Sequence, residues 1–294
     1  MTTGTERAAI RLYDRFTHDG DMDRRAFIAE LTRIAGSAAA ASLLLSGIAA
    51  RAAAPQVAPD DPRLTVRTIE WAPRPGRRYH GYSAASAGAG ERPVVMVVHE
   101  NRGLNDHIRD VARRLALAGY AAVAPDFLGP AGGTPDDEDR AREMIGALDM
   151  AETVADGAAS IRWLTSAEGA SRRVGVVGFC WGGAMVNRLA VAAGDALAAG
   201  VCFYGPAPSP AEAQHVEAPL LIHLAERDER VNATALPWVL ALRQAGKDVR
   251  AIDYHGVDHA FHNDTSEARY NAAAARGAWA TTLEFFARHL GAGA

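Results

Sequence analysis

From residue 64 onward, short apolar runs rich in β-branched side chains alternate with longer stretches whose apolar positions recur every three to four residues. Residues 64–71 (LTVRTIEW) alternate polar and apolar, which suits an edge strand with one covered face, and 79–84 are placed to pair with them. Residues 94–99 (VVMVVH) are a continuous apolar run, as expected of a strand covered on both faces. Helical periodicity over 108–118 stops at Gly119, a residue suited to the left-handed turn that ends a helix. Further strands are predicted at 121–125, 174–178, 200–204, 220–224 and 249–254. Helices are predicted over 138–164, 185–193, 236–245 and 272–290, the first of these reading as two helices whose break the pattern does not locate. Such alternation predicts an α/β fold, a mostly parallel central sheet with helices on both faces. Ligands then belong at the carboxyl ends of the strands.

The first 63 residues follow a different pattern. Residues 1–23 are polar and mixed in charge. Asp23-Arg24-Arg25-Ala26-Phe27-Ile28 comes next, then an Ala- and Leu-rich stretch free of charge over 34–50. Ala50-Arg51-Ala52 has small residues at the spacing that signal peptidase accepts. Paired arginines, a modest apolar segment and an A-x-A site resemble a twin-arginine export signal. Residues 1–52 are therefore expected to be an export signal or N-terminal anchor, with the twin-arginine export machinery as partner and a periplasmic or otherwise exported location. An N-terminal helix on a cytosolic enzyme is the alternative. The charge-free stretch is short for a bilayer span of about 20 residues. Three prolines within 55–62 make residues 53–63 an extended linker, leaving 64–294 as the folded domain.

Composition removes several function classes. A net charge of −4 and the lack of any run of Lys and Arg give no reason to expect nucleic acid. Two cysteines in 294 residues make neither a disulfide framework nor a zinc site. No G-x-G-x-x-G or P-loop pattern precedes a helix, so nucleotide cofactors are not indicated.

Candidate chemistry centres on Gly178-Phe179-Cys180-Trp181-Gly182-Gly183, which sits directly between a buried apolar run and a helix. This is the G-x-nucleophile-x-G elbow with Cys in the nucleophile position. Its glycines are needed because side chains two before and two after the nucleophile would strike neighbouring backbone. The turn presents sulfur at a helix N-terminus, where unpaired N–H groups and the helix dipole favour a thiolate. The Trp181 N–H is placed to form half of an oxyanion hole. Downstream, 220–224 leads into Ala225-Glu226-Arg227-Asp228, with Glu226 and Glu229 as possible substitutes for Asp228. Tyr254-His255-Gly256-Val257-Asp258-His259 then brings a histidine after a strand end. The chain order nucleophile, acid, histidine is the one this elbow keeps. A thiol of ordinary pKa needs a neighbouring imidazole to take its proton, and Asp228 would fix the tautomer of His259.

With these residues in place, the chain resembles the dienelactone hydrolases (carboxymethylenebutenolidases) from about residue 70 to 290. The resemblance rests on the Cys180 elbow, the Asp228 loop and His259-Ala260-Phe261. It extends to His99-Glu100-Asn101-Arg102-Gly103-Leu104-Asn105 and to Gly119-Tyr120 through Pro125-Asp126. It implies a cofactor-free hydrolase acting on a small lactone or ester. It also implies that Glu100 lies beside Cys180 and helps control the thiol's ionisation, and that the Asn101 N–H is the second oxyanion donor. The family typically holds the substrate carboxylate with an arginine shortly after His-x-Phe. Here that stretch reads His262-Asn263-Asp264, which leaves Arg102 as the candidate anion contact. Tyr120, Phe127 and Phe261 are the pocket candidates.

Other features read as packing. Cys202 lies in a buried strand, and His99 and His223 follow apolar runs, so all three are expected to be satisfied core groups. His255, His259 and His262 have helical metal-ligand spacing but sit at a strand end and loop. Two rival functions remain, a thiol-redox protein using Cys180 and a non-catalytic binding protein on the same fold. The first lacks a resolving CxxC partner, and the second has no need of an intact triad.

Overall fold

The structure is a computed structural model that describes residues 4–18, 22–48, 55–88, 90–166 and 170–291. Eight strands among the described residues form one sheet: β1 (Leu64–Arg74), β2 (Arg77–Ser86), β3 (Arg92–Val98), β4 (Ala121–Pro125), β5 (Ala170–Phe179), β6 (Ala199–Phe203), β7 (Leu220–Ala225) and β8 (Val249–Tyr254). Their order is β1-β2-β4-β3-β5-β6-β7-β8. The β1–β2 hairpin is antiparallel and joins β4 antiparallel; every pair from β4 to β8 is parallel. This is the mostly parallel sheet that the alternation predicts, and it fits the α/β-hydrolase fold that the elbow and the family resemblance imply.

The apolar run of β3 is continuous because each face of the sheet has its own cover. Val94, Met96 and Val98 join the cluster under helices α6 (Met150–Thr165), α7 (Trp181–Ala192) and α8 (Glu229–Gln244). Val95 and Val97 join the cluster under α4 (Asp106–Leu117) and α9 (Ala272–Leu290). The edge hairpin lacks such double cover and is clamped by polar groups instead. Buried Asp156 of α6 accepts from Arg74 Nε (2.6 Å), Arg77 Nε (2.7 Å) and the Tyr79 hydroxyl (2.9 Å). Beside it the Trp71 indole N–H donates to Ser160 Oγ at 2.9 Å.

Two helix boundaries depart from the periodicity. The segment 138–164 breaks into α5 (Glu138–Gly146) and α6, where Asp149 accepts from the Glu152 N–H and caps the second helix. Helix α8 starts seven residues ahead of the expected 236. Its apolar positions Val231, Ala235, Trp238, Val239 and Leu242 hold helical spacing from the start, but polar first turns and exposed Pro237 obscure it.

The N-terminal region is more structured than its composition suggests. Residues read as polar and mixed in charge form an amphipathic helix, α1 (Gly4–His18), that buries Ile10, Leu12, Tyr13 and Phe16. These pack with Phe27 and Leu31 of α2 (Arg24–Ala35) and Ala41 and Ile48 of α3 (Ala38–Ile48). Asp23 caps α2, so Arg24 and Arg25 occupy its first turn, and Arg24 pairs with Asp139. The charge-free stretch is interrupted at Gly36, whose φ of +81° ends α2; α3 leaves at 107°. Among the described residues no single helix is long and apolar enough to cross a membrane, although α2 and α3 together pass that test by length and composition. Ala50-Arg51-Ala52 lies outside the described residues. From residue 55 the proline-rich linker is docked rather than free: the Gln56 and Val57 N–H groups donate to Asp110, and Arg113 Nε donates to the Val57 carbonyl.

Candidate active site

Strand β5 ends at Phe179 and α7 begins at Trp181, so Cys180 alone makes the turn, with φ 56° and ψ −112°. A non-glycine residue in this region carries strain of about 1–3 kcal/mol, which the surrounding packing must hold in place. The glycines provide the room. A Cβ on Gly178 would lie 2.1 Å from the Gly182 carbonyl oxygen, and one on Gly182 would lie 2.3 Å from that of Val98. Cys180 is buried at the carboxyl end of the sheet, with the first turn of α7 beginning at Trp181.

Asp228 has two roles at the end of β7. One carboxylate oxygen accepts from the Val231 N–H and caps α8; the other meets His259 Nδ1 at 2.5 Å. His259 is buried, and burial alone would lower its pKa. The Asp228 carboxylate, the adjacent Cys180 sulfur and the hydrogen bonds to both outweigh that and raise it to about 10. Burial pushes the Asp228 carboxyl up, but the His259 charge and hydrogen bond carry it below its ordinary value. Glu226, the alternative acid, instead faces exposed His255 and the Gly256 N–H.

Glu100, one residue past His99 at the end of β3, shares a small cavity with Cys180 and His259. Its Oε2 accepts from Asn263 Nδ2 at 2.7 Å, while Asn263 Oδ1 accepts from the Thr265 N–H and hydroxyl. Arg102 lines the same cavity, but its guanidinium is engaged by Glu138 and the Tyr13 hydroxyl. The expectation that Arg102 is free to hold a substrate anion is corrected accordingly. Asn101 also lines the cavity, and its side-chain amide donates to the Thr17 carbonyl.

A matching family model now gives these residues a context: the dienelactone hydrolase family model covers residues 79–290. The chain belongs to the dienelactone hydrolase family. It is an ester- and lactone-cleaving hydrolase by that membership. Protein usf of Aquifex pyrophilus is 34% identical over 222 residues, spanning 73% of this chain and 95% of that protein. An Escherichia coli K12 protein named "Putative carboxymethylenebutenolidase" is 32% identical, spanning 72% of this chain and 82% of its own length. Among solved structures, a dienelactone hydrolase-like promiscuous phosphotriesterase from metagenomic libraries superposes with a TM-score of 0.69 at 26% identity. That alignment takes in 78% of this chain and all of the other. Helices α1 to α3 lie wholly outside the family match.

Those helices nonetheless reach the site of this family member. Tyr13 and Thr17 of α1 line the small cavity beside Cys180, which at about 20 Å³ holds little more than one water. Asp14 pairs with Arg269 at 3.3 Å, and its carboxyl is pushed up by burial. A second, roomier cavity of about 260 Å³ opens on Cys180 from the α7 side, with Trp181, Ala184 and Arg188 on its wall.

The aromatic pocket candidates fare differently. Tyr120 is buried at the opposite, amino end of β4, in edge contact with Phe286, and the structure does not bring it to the site. A residue at the start of a parallel strand cannot reach the carboxyl-end cleft, which is the reason for this correction. Phe127 and Phe261 are buried and line neither cavity that opens on Cys180. Phe127 packs edge-on to Trp181, which itself stacks on His99 at 5.3 Å; Phe261 packs on Tyr204 and Tyr254. Both therefore support the site from behind.

The remaining histidines and Cys202 are structural. His99 bridges the Glu100 carbonyl and the Phe127 N–H, and His223 meets the Tyr254 and Thr282 hydroxyls. His255 is exposed, and His262 stacks on Phe179 at 5.2 Å, so neither converges with His259 on a metal position. Cys202 is a free, buried thiol held by Asn187, and burial pushes its pKa to about 12. Sequence reading missed Asn263 and Tyr204. Asn263 follows His-x-Phe by two positions, where the arginine was sought. Tyr204 directly follows β6 with φ +38°, its ring 5.1 Å from that of His259 and its hydroxyl buried with no hydrogen-bond partner among the described residues.

Proposed function

We propose that the protein is a cysteine hydrolase that opens lactones or cleaves activated carboxylic esters through a thioester. The observation that carries this reading is Cys180 on a strained elbow against His259, itself bonded at 2.5 Å to Asp228. The Cys180 thiolate adds to the substrate carbonyl carbon, and the resulting oxyanion accepts from the Trp181 and Asn101 N–H groups. Collapse expels the alkoxide or enolate, which takes a proton from the His259 imidazolium. His259 then removes a proton from water; hydroxide adds to the thioester, and the acid leaves as thiolate is regenerated. Glu100, held by Asn263, stands beside the sulfur and is assigned to control of its ionisation. A thiolate is a good leaving group, so substrates with stabilised leaving groups suit it better than amides.

The test is hydrolysis of p-nitrophenyl acetate and dienelactone by the full chain and by Cys180→Ala, with mass spectrometry of the quenched enzyme. Turnover that vanishes in the variant, with an acyl adduct on Cys180, is the expected result. Activity that survives the substitution sinks the thioester route.

Residues 1–52 are read here as a twin-arginine export leader, supported by Arg24-Arg25 and the charge-free stretch after them. Fractionation of expressing cells, with Arg24→Lys/Arg25→Lys as control, checks this; an equal cytoplasmic pool for both chains refutes it.

A further inference from the structure

A groove of about 870 Å³ adjoins the cavity that opens on Cys180 from the α7 side. Met150 and Arg188 line both, and Pro206 of the cavity is followed directly by Ala207 of the groove, so the two are continuous. One side of the groove is a single face of α6, with Ala151, Val154, Ala155 and Ala158 at helical spacing. The other is the last turn of α7, at Val191 and Ala192. Ala151 and Ala192 are exposed, so the groove opens to solvent along its outer edge. Most charged groups at its rim are engaged within the protein. Arg74 pairs with Glu152 and Asp156, Arg188 donates to the Ala184 carbonyl, and Glu212 accepts from the Ser209 N–H. Arg162, at the far end, is exposed to water.

Small-molecule sites are mostly apolar hollows of about 300–1,000 Å³, and this groove has that size and floor. Apolar surface left in water beside a catalytic cavity gains free energy when an apolar group covers it, and the engaged rim calls for no ion. Which part of a substrate reaches the groove follows from the two sides of the sulfur. Cys180 lines both the small cavity and the roomier one, whereas His259 lines only the small one. The leaving group takes its proton from His259 and so departs on that side. The acyl part, still bonded to sulfur, extends the other way, past Trp181 and Ala184 to Met150 and the groove. Along α6 the wall runs from Met150 to Arg162, about 18 Å, which gives room for an extended chain. We infer that the groove between α6 and α7 is an acyl-chain subsite, and that the substrate is an ester whose acyl part is a long, uncharged alkyl chain. This rests on the proposed cysteine hydrolase and names its substrate class.

Steady-state hydrolysis by the full chain is measured for p-nitrophenyl esters from acetate to decanoate, below their micellar concentrations. A second series holds the acyl part at acetate and lengthens the alcohol from methyl to octyl, followed by acid release. In the acyl series kcat/KM should rise by about twofold per methylene, half the effect of full burial because the groove is open on one side. The alcohol series should stay nearly flat. Ala155→Trp, which fills the groove, should lower kcat/KM for octanoate about tenfold more than for acetate. Ala192→Phe, at an exposed position on the opposite wall, should act in the same sense if Ala155→Trp fails to fold. A flat acyl series, a steeper alcohol series, or equal losses on acetate and octanoate in the filled variants overturns the subsite. Calorimetric binding of octanamide to Cys180→Ala gives a readout free of turnover: it should be weakened by adding Ala155→Trp, and binding indifferent to that change also overturns the subsite. Acetate turnover that is absent, or that survives Cys180→Ala, counts instead against the hydrolase mechanism, so the two failures are distinct.

Discussion

In the domain that begins at Leu64, the two faces of the sheet are buried by separate clusters, and even the edge hairpin is clamped through Asp156. Helices α1 to α3 share one small cluster around Phe27 and Leu31. They meet the domain largely through polar contacts at the cleft: Tyr13 with Arg102, Asp14 with Arg269, the Thr17 carbonyl with Asn101, and the Ile48 carbonyl with Ser266. Polar contacts of this kind exchange readily for water, whereas a two-sided apolar core does not. A segment of this size rarely holds a fold alone. The contrast teaches that the sheet domain owns the fold and the N-terminal helices borrow it, while covering the cleft that the chemistry needs.

The largest expected effect lies wholly within the sheet domain. Asp228→Asn keeps an N-cap residue on α8 but removes the charge that raises His259, and should lower kcat by about a thousandfold. His259 holds a raised pKa of about 10. Its contribution to stability is therefore complete below the unfolded histidine value and lost as pH rises through about 10. In the variant that alkaline loss should shrink, which NMR titration of the ring and denaturation at several pH values would show. A His259 titration unmoved by the substitution would mean that Asp228 does not control it.

Next in size, Asp156→Ala should destabilise the sheet domain by about 2 kcal/mol in urea denaturation, because Arg77 and Tyr79 lose a buried partner. The kcat should stay within about twofold, since the clamp is remote from Cys180. An unchanged midpoint would show that the hairpin is held by Trp71 and its neighbours alone.

The smallest effect tests the comparison directly. A chain lacking residues 1–52 should unfold cooperatively and hydrolyse p-nitrophenyl acetate with kcat/KM raised by about tenfold, as expected when a fractionally open site becomes fully open. Failure of this chain to fold would break the contrast, and an unchanged rate would show that α1 does not limit access.

Much of this was legible in the residues. Parallel strands buried on both faces read as unbroken apolar runs, so β3 to β7 stand out. The elbow declares itself because only glycine fits at 178 and 182. Asp228 and His259 follow from chain order. What periodicity lost was helix starts: α8 hides behind polar turns and a proline, and α1 behind alternating charges whose apolar stripe is one side of a helix with nothing yet to cover it. The pocket aromatics were misplaced because hydrophobicity says that a residue is buried, not at which end of a strand.

The sequence by itself determined the fold class, the elbow and the order of nucleophile, acid and histidine, since each depends on neighbours along the chain. Only the tertiary structure decided that Asn263 holds Glu100, that Glu138 engages Arg102, and that α1 lies over the cleft. Those pairings join groups far apart in sequence, and which partner a charge finds depends on distance and burial that no local pattern records.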